Sequence, residues 1–190
     1  MLFNSIEFLI FLPIVFCIYW LLHKRLQWQN AFVVAASYLF YGWWDWRFLL
    51  LIAFTTLCSF ASGIAIANTR QKGDGKRPSP KFCLWANIVV NLLILGLFKY
   101  YDFFAQSFAD AFLGGNADRL LLHLVLPVGI SFYTFQALSY SIDVYRGTIK
   151  PTRDVVAFFA YVSFFPQLVA GPIERATSLV PQFEQARKFD

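Results

Sequence analysis

Charge is scarce in this chain. Only 14% of its 190 residues are Asp, Glu, Lys or Arg, against about 25% in a soluble domain. Hydrophobic residues make up 58% and aromatic residues 20%, and that excess is too large to hide in one core. A soluble globular domain is excluded; the composition is that of an all-α polytopic membrane protein. Cysteine is almost absent as well. Cys17, Cys58 and Cys83 lie in or beside apolar runs, without the close spacing of a disulfide framework or a CxxC metal site. No metal site is expected. There are two histidines, His23 and His123. Neither has a carboxylate at helical spacing; the acid nearest His123, Asp118, is five residues away. GxSxG, HExxH, GxxxxGK[ST] and GxGxxG are all missing, so the common hydrolase, metalloprotease and nucleotide-binding signatures are excluded.

What is present is a series of apolar runs. Ile6–Leu22, Ala31–Tyr41, Phe48–Ala67 and Phe82–Tyr101 read as spans, Leu120–Tyr145 contains a fifth, and Val155–Ala170 is a sixth run. The first begins without the basic stretch of a cleaved signal and reads as a retained helix. "HKRLQWQN" reads as a loop, "GWWDWR" as an interfacial aromatic cluster, and residues 102–119 as a surface stretch. Lys99, near the end of its run, is placed to snorkel to the interface.

The net charge of +5 could suggest nucleic acid, but its placement argues against that partner. Ten of the 16 basic residues fall in three alternate loops, at 23–30, 68–81 and 146–153, while the intervening loops carry only Arg47 and Arg119 with Asp45, Asp102, Asp110 and Asp118. The positive-inside rule puts the basic loops in the cytoplasm and the N-terminus outside.

Two features carry candidate chemistry. In "LPVGISFYTFQALSYSIDVYRG", Tyr133, Gln136, Tyr140 and Asp143 fall on one face of a helix. Such a stripe is costly against lipid and should face the bundle interior. It lines a polar tunnel on one reading and bonds to neighbouring helices on the other, with Asp143 pairing Arg146 at the rim. The second feature is "SFFPQLVAGPIERA", where Pro166, Gln167, Gly171 and Pro172 interrupt an apolar run that ends in Glu174 and Arg175. A plain span and a broken or re-entrant helix are both open, and irregular backbone at membrane depth has to be buried in protein or line a cavity.

Four stretches, "MLFNSIEFLIFLPIVF", "ASYLFYGWWDWRFL", "LPVGISFYTFQALSYSIDVYRG" and "FFPQLVAGPIERA", together resemble the membrane-bound O-acyltransferase (MBOAT) superfamily, most closely its alginate O-acetyltransferase branch. The resemblance runs through the chain and is similar to the N-terminal part of the family only. It implies one incomplete membrane domain over residues 1–190, five to six membrane segments of a larger helical bundle, in a bacterial inner membrane. It implies transfer of an acetyl group from a cytoplasmic donor to an extracytoplasmic polysaccharide such as alginate, or to a partner acetyltransferase. No bound cofactor is implied. The basic loops suit acetyl-coenzyme A as donor, and topology alone explains them equally.

The same resemblance makes the polar stripe, with Pro166, Gln167, Gly171 and Pro172, the wall of a central passage, with Glu174 and Arg175 at its cytoplasmic mouth. The family's catalytic histidine lies beyond the motifs matched, so no catalytic residue is carried over to this chain. By itself the chain is expected to be inactive, and to accumulate poorly because a partial bundle would leave its stripe facing lipid. A transporter-like protein and a non-catalytic membrane scaffold are the alternatives from other classes; a broken helix suits the former.

Overall fold

A computed structural model describes residues 4–72, 78–112, 121–122, 124–171 and 174–187. They form helices and, among the described residues, no strand: α1 (Ile6–Leu21), α2 (Leu26–Gly42), α3 (Arg47–Lys72), α4 (Pro80–Phe112), α5 (Ile130–Arg146), α6 (Val155–Ser163), α7 (Phe165–Ala170) and α8 (Ala176–Glu184). Local chemistry sets several boundaries. Ser5 caps α1 by accepting the Phe8 N–H at 3.2 Å, and Asp154 caps α6 by accepting from Val156 and Ala157. Glycines in the left-handed region, Gly129 (φ 77°) and Gly147 (φ 80°), close the two ends of α5.

The helices are apolar outside and partly polar inside. Leu9, Leu50, Phe82 and Leu93 are exposed, while Ser37, Thr55, Ser59, Asn91 and Ser141 are wholly buried. Water-soluble bundles show the reverse, and membrane bundles use such small polar groups between helices. α3 and α4 are long and apolar enough to cross a membrane, whereas α1, α2 and α5, of 16 or 17 residues, are shorter than the roughly 20 residues of a full span.

α5 packs on α3 and α4, α2 packs on α6, and α8 folds back on α6. The contacts fix which ends lie together. Gln29 donates to Tyr19 O, joining the end of α1 to the start of α2, and Arg70 donates to Tyr145 O, joining the ends of α3 and α5. At the opposite side Tyr41 Oη donates to Val128 O at 2.6 Å and Lys99 lies 3.4 Å from Ser131 Oγ. One end of the bundle therefore gathers the basic connections, and the other the tryptophan cluster.

Several expected boundaries move. Leu26–Asn30, read as loop, is the first turn of α2, and Gln29 and Asn30 are buried there. The polar letters suggested a loop; tertiary bonding holds them in a helix. α4 runs past the expected end at Tyr101 to Phe112, so much of the supposed surface stretch is helical. Its 33 residues extend about 50 Å, well beyond a hydrocarbon core of about 30 Å. The run Val155–Ala170 is two helices meeting at Phe164, which is extended at ψ 107°. Pro166 sits in the first turn of α7, where a missing N–H forfeits no helix bond. After α8 the chain is back at the basic end, where Arg187 bonds Gln29 and Asn30. Of the two readings of this segment, the geometry is that of a re-entrant one.

Candidate polar site at the helix break

The break between α6 and α7 leaves backbone groups without intrahelical partners, and side chains from two other helices supply them. Ser37 of α2 accepts the Phe165 N–H at 3.2 Å. Gln136 of α5 donates from Nε2 to Tyr161 O, in the last turn of α6, at 2.9 Å. The same Nε2 lies 3.1 Å from Gln167 Oε1 on α7. Tyr161 returns the contact, its hydroxyl donating to Gln136 O at 3.2 Å. Gln136 thus holds both sides of the break. The start of α5 meets α7 directly: a Cβ on Gly129 would overlap Leu168 O.

The rest of the stripe is distributed along α5. Tyr133 is fully buried beside Tyr41. Tyr140, also fully buried, accepts the Thr152 N–H at 3.2 Å and packs on Phe158 with ring centroids 4.5 Å apart. Asp143 is half-buried near the basic end, and Arg146 is exposed. So the stripe and the break, read separately in the sequence, meet at one point, Gln136 with Gln167. Pro166 and Gly171 keep partial exposure there. Glu174 and Arg175 are exposed immediately before α8, and Arg175 occupies its N-cap position. Pro172 lies outside the described residues.

Other polar groups escaped the sequence reading. Asn87 of α4 accepts from Ser59 of α3 at 3.2 Å and donates to Ser141 of α5 at 2.8 Å. Asn91 donates back to Asn87 Oδ1 at 2.9 Å. This network ties together α3, α4 and α5. Two asparagines one helical turn apart inside an apolar run were its signal. At the basic end, Gln29 and Asn30 hold Arg187; nothing local in the sequence marks that triplet.

These groups can position and polarise, but none is a base held against a nucleophile. His23 is exposed at the basic end, its Nδ1 2.7 Å from Trp20 O, and His123 lies outside the described residues. Among the described residues no three His, Cys, Asp or Glu side chains are grouped to hold a metal.

Sequence relatives place this architecture. Over 185 residues, 96% of its length, the chain is 40% identical to the probable alginate O-acetylase AlgI of Pseudomonas aeruginosa, and it covers 34% of that protein. The chain is a homologue of the alginate O-acetylases. This bears out the likeness to membrane-bound O-acyltransferases read from the motifs. A second probable alginate O-acetylase AlgI, from Azotobacter vinelandii, is 39% identical over 96% of the chain and 36% of its own length. A peptidoglycan O-acetyltransferase of Helicobacter pylori is 31% identical over 97% of the chain and 39% of its own length. The chain spans about a third of the length of the curated relatives it matches. No family model matches it, and no solved structure matches it.

Proposed function

We propose that this chain forms part of a membrane O-acetyltransferase and supplies one wall of the passage along which an acetyl group reaches a polysaccharide acceptor. Alginate and peptidoglycan, the polymers in the relatives' names, set the acceptor class: a surface glycan with free hydroxyls, reached directly or through a partner acetyltransferase. The donor is an activated acetyl thioester such as acetyl-coenzyme A, arriving at the basic end. The basic connections face the cytoplasm of a bacterial inner membrane and the N-terminus faces outward, in keeping with the loop charges.

One contact carries the reading of the wall: Gln136 Nε2 with Gln167 Oε1 at 3.1 Å. It joins the polar face of α5 to the re-entrant segment, in a homologue of O-acetylases. Tyr133 and Tyr140 are covered by their own neighbours, so the part of the wall that meets the acetyl group is Gln167 and Gly171. Gln136 acts through them as a positioning residue, and Glu174 and Arg175 flank the entry. Closure of the break by side chains rather than by lipid-exposed backbone is what an irregular segment at membrane depth requires.

The test is Gln136→Leu in cells that acetylate their surface polysaccharide. Acetyl esters are counted as acetate released by mild base, and membrane abundance is measured in parallel. Acetylation should fall at least several-fold while abundance holds. Unchanged acetylation at normal abundance would reduce the glutamine to a packing element and remove the wall. Gln136→Glu keeps the size of the side chain but replaces the donor with an acceptor facing Tyr161 O and Gln167 Oε1, and should also be defective.

A further inference from the structure

Beside the break, an apolar groove of about 330 Å³ lies between α1, the α6–α7 junction at Phe164, Phe165 and Pro166, and α8. Leu12, Val15 and Phe16 of α1 face Phe165, Leu179 and Phe183 across it. Its lower end closes on Arg187, which also lines a wider cleft with Trp20, His23 and Lys24 at the basic end of the bundle. An apolar slot therefore leads to a cluster of cationic groups where the bundle meets one face of the membrane.

Arg187 is held there by a built arrangement. Its Nη1 donates to Gln29 Oε1 at 3.0 Å and its Nη2 to Asn30 Oδ1 at 2.8 Å. Its Nε donates to Gln182 O at 3.1 Å, and the guanidinium lies 4.9 Å from the Phe183 ring centre. Gln29 and Asn30 are themselves wholly buried and are locked by bonds to Tyr19 O and Phe183 O. All three acceptors are neutral, so among the described residues the charge of Arg187 is uncompensated. A guanidinium has five N–H donors, and two remain for another acceptor. Lys24 is exposed and lines the same wider cleft.

We propose that this groove is a binding site for an anionic phospholipid of the adjoining leaflet, with an acyl chain against α1 and the phosphate on Arg187 and Lys24. The pieces match that ligand. The slot is apolar, and Leu12 and Phe16 on its α1 side are exposed. The cations sit at its interfacial end, where anionic headgroups concentrate and where basic pockets between membrane helices collect them. Arg187 presents a fixed planar fork suited to phosphate. The groove shares the α6–α7 junction with the proposed passage but is not lined by Gln136, Gln167 or Gly171, and lipid retention is read without any acetyl transfer, so the two readings can fail separately.

The purified full chain in neutral detergent is mixed with equal amounts of phosphatidylglycerol and phosphatidylcholine, and bound lipid is counted by native mass spectrometry. Phosphatidylglycerol should be preferred. Lys24→Gln and Arg187→Gln should each reduce that preference about fivefold. Arg187→Lys, which keeps the charge, should retain more of it than Arg187→Gln does, a difference that a purely structural arginine would not produce. Val15→Trp, which fills the slot, should lower retention of both lipids. Equal binding of the two lipids, or an unchanged preference in both glutamine variants, overturns the proposal. A photo-crosslinking residue at Leu12 in native membranes should label lipid; labelling of a protein segment instead would show the groove to be a protein contact and would equally overturn it.

Discussion

Gly129→Ala tests how tightly the re-entrant segment is pinned. Gly129 has φ 77°, a conformation that costs a residue with a Cβ roughly 1–2 kcal/mol. Its added Cβ would also overlap the carbonyl oxygen of Leu168. That oxygen is backbone within α7 and cannot rotate aside, so either α7 lifts or the first turn of α5 unwinds. Overpacking of this kind typically costs about 1–3 kcal/mol, which brings the expected total to about 2–5 kcal/mol. Gly147 supplies the control at the other end of the same helix. Its φ is 80°, so Gly147→Ala carries the same conformational cost, but its Cβ would meet only Arg70 Nη1, at 3.1 Å, the tip of a flexible side chain. The two variants should therefore differ by about the overpacking cost, about 1–3 kcal/mol. Reversible unfolding in mixed micelles, followed by helical circular dichroism, measures that difference. If Gly129→Ala is no less stable than Gly147→Ala, α7 does not rest on the start of α5 and the description of the break is wrong.

Asp154→Ala removes the cap of α6 and should cost about 1 kcal/mol, read in the same unfolding assay; no loss would mean that the basic-end connection holds α6 unaided. Gly63→Ala would put a Cβ 2.6 Å from Tyr140 Cε1, against a ring already fixed by Phe158 and by Thr152 N–H. It should destabilise by about 1–3 kcal/mol, and Tyr140→Phe in the same chain should not relieve it, because the clash is with the ring. Ser79→Cys reports orientation: an impermeant thiol reagent should label it only after lysis, once Cys17, Cys58 and Cys83 are replaced by serine or alanine. Labelling in intact cells would invert the proposed topology.

Much of this fold is legible in the letters, and the reasons are physical. Long apolar runs can only be helices in a membrane, so α3 and α4 stand out, and glycine–proline punctuation marked the α6–α7 region. The helix ends were harder. Polar residues were read as loop at Gln29 and Asn30, yet both are buried in α2, where Arg187, more than 150 residues later, donates to their side-chain oxygens. Local sequence cannot show a partner that distant. The same limit hid the Ser59–Asn87–Ser141 network, whose members lie on three helices. The stripe on α5 was visible because its four residues share one helix face. Its meeting with Gln167 was not, since that depends on where α6 turns back.

That turn also changes what the partial bundle means. Six segments were expected to leave the stripe facing lipid and the chain hard to accumulate. Instead Tyr133 and Tyr140 are wholly covered and Gln136 is 4% exposed. Short helices that enter and return on one side cover α5 at the depth where a single crossing helix would have left it bare. Hydrogen bonds between membrane helices average only about 0.6 kcal/mol, so the packing of α6, α7 and α8 around α5, more than any one polar contact, holds this arrangement. At the break the Gln136 amide and the Tyr161 hydroxyl are already engaged in hydrogen bonds, which suits a positioning surface better than a reacting one. His23 does not alter that. Its ring is at the basic end, bonded to Trp20 O, with the bundle between it and the opposite face. For the acceptor proposed on that opposite face, proton transfer has to come from a group other than His23.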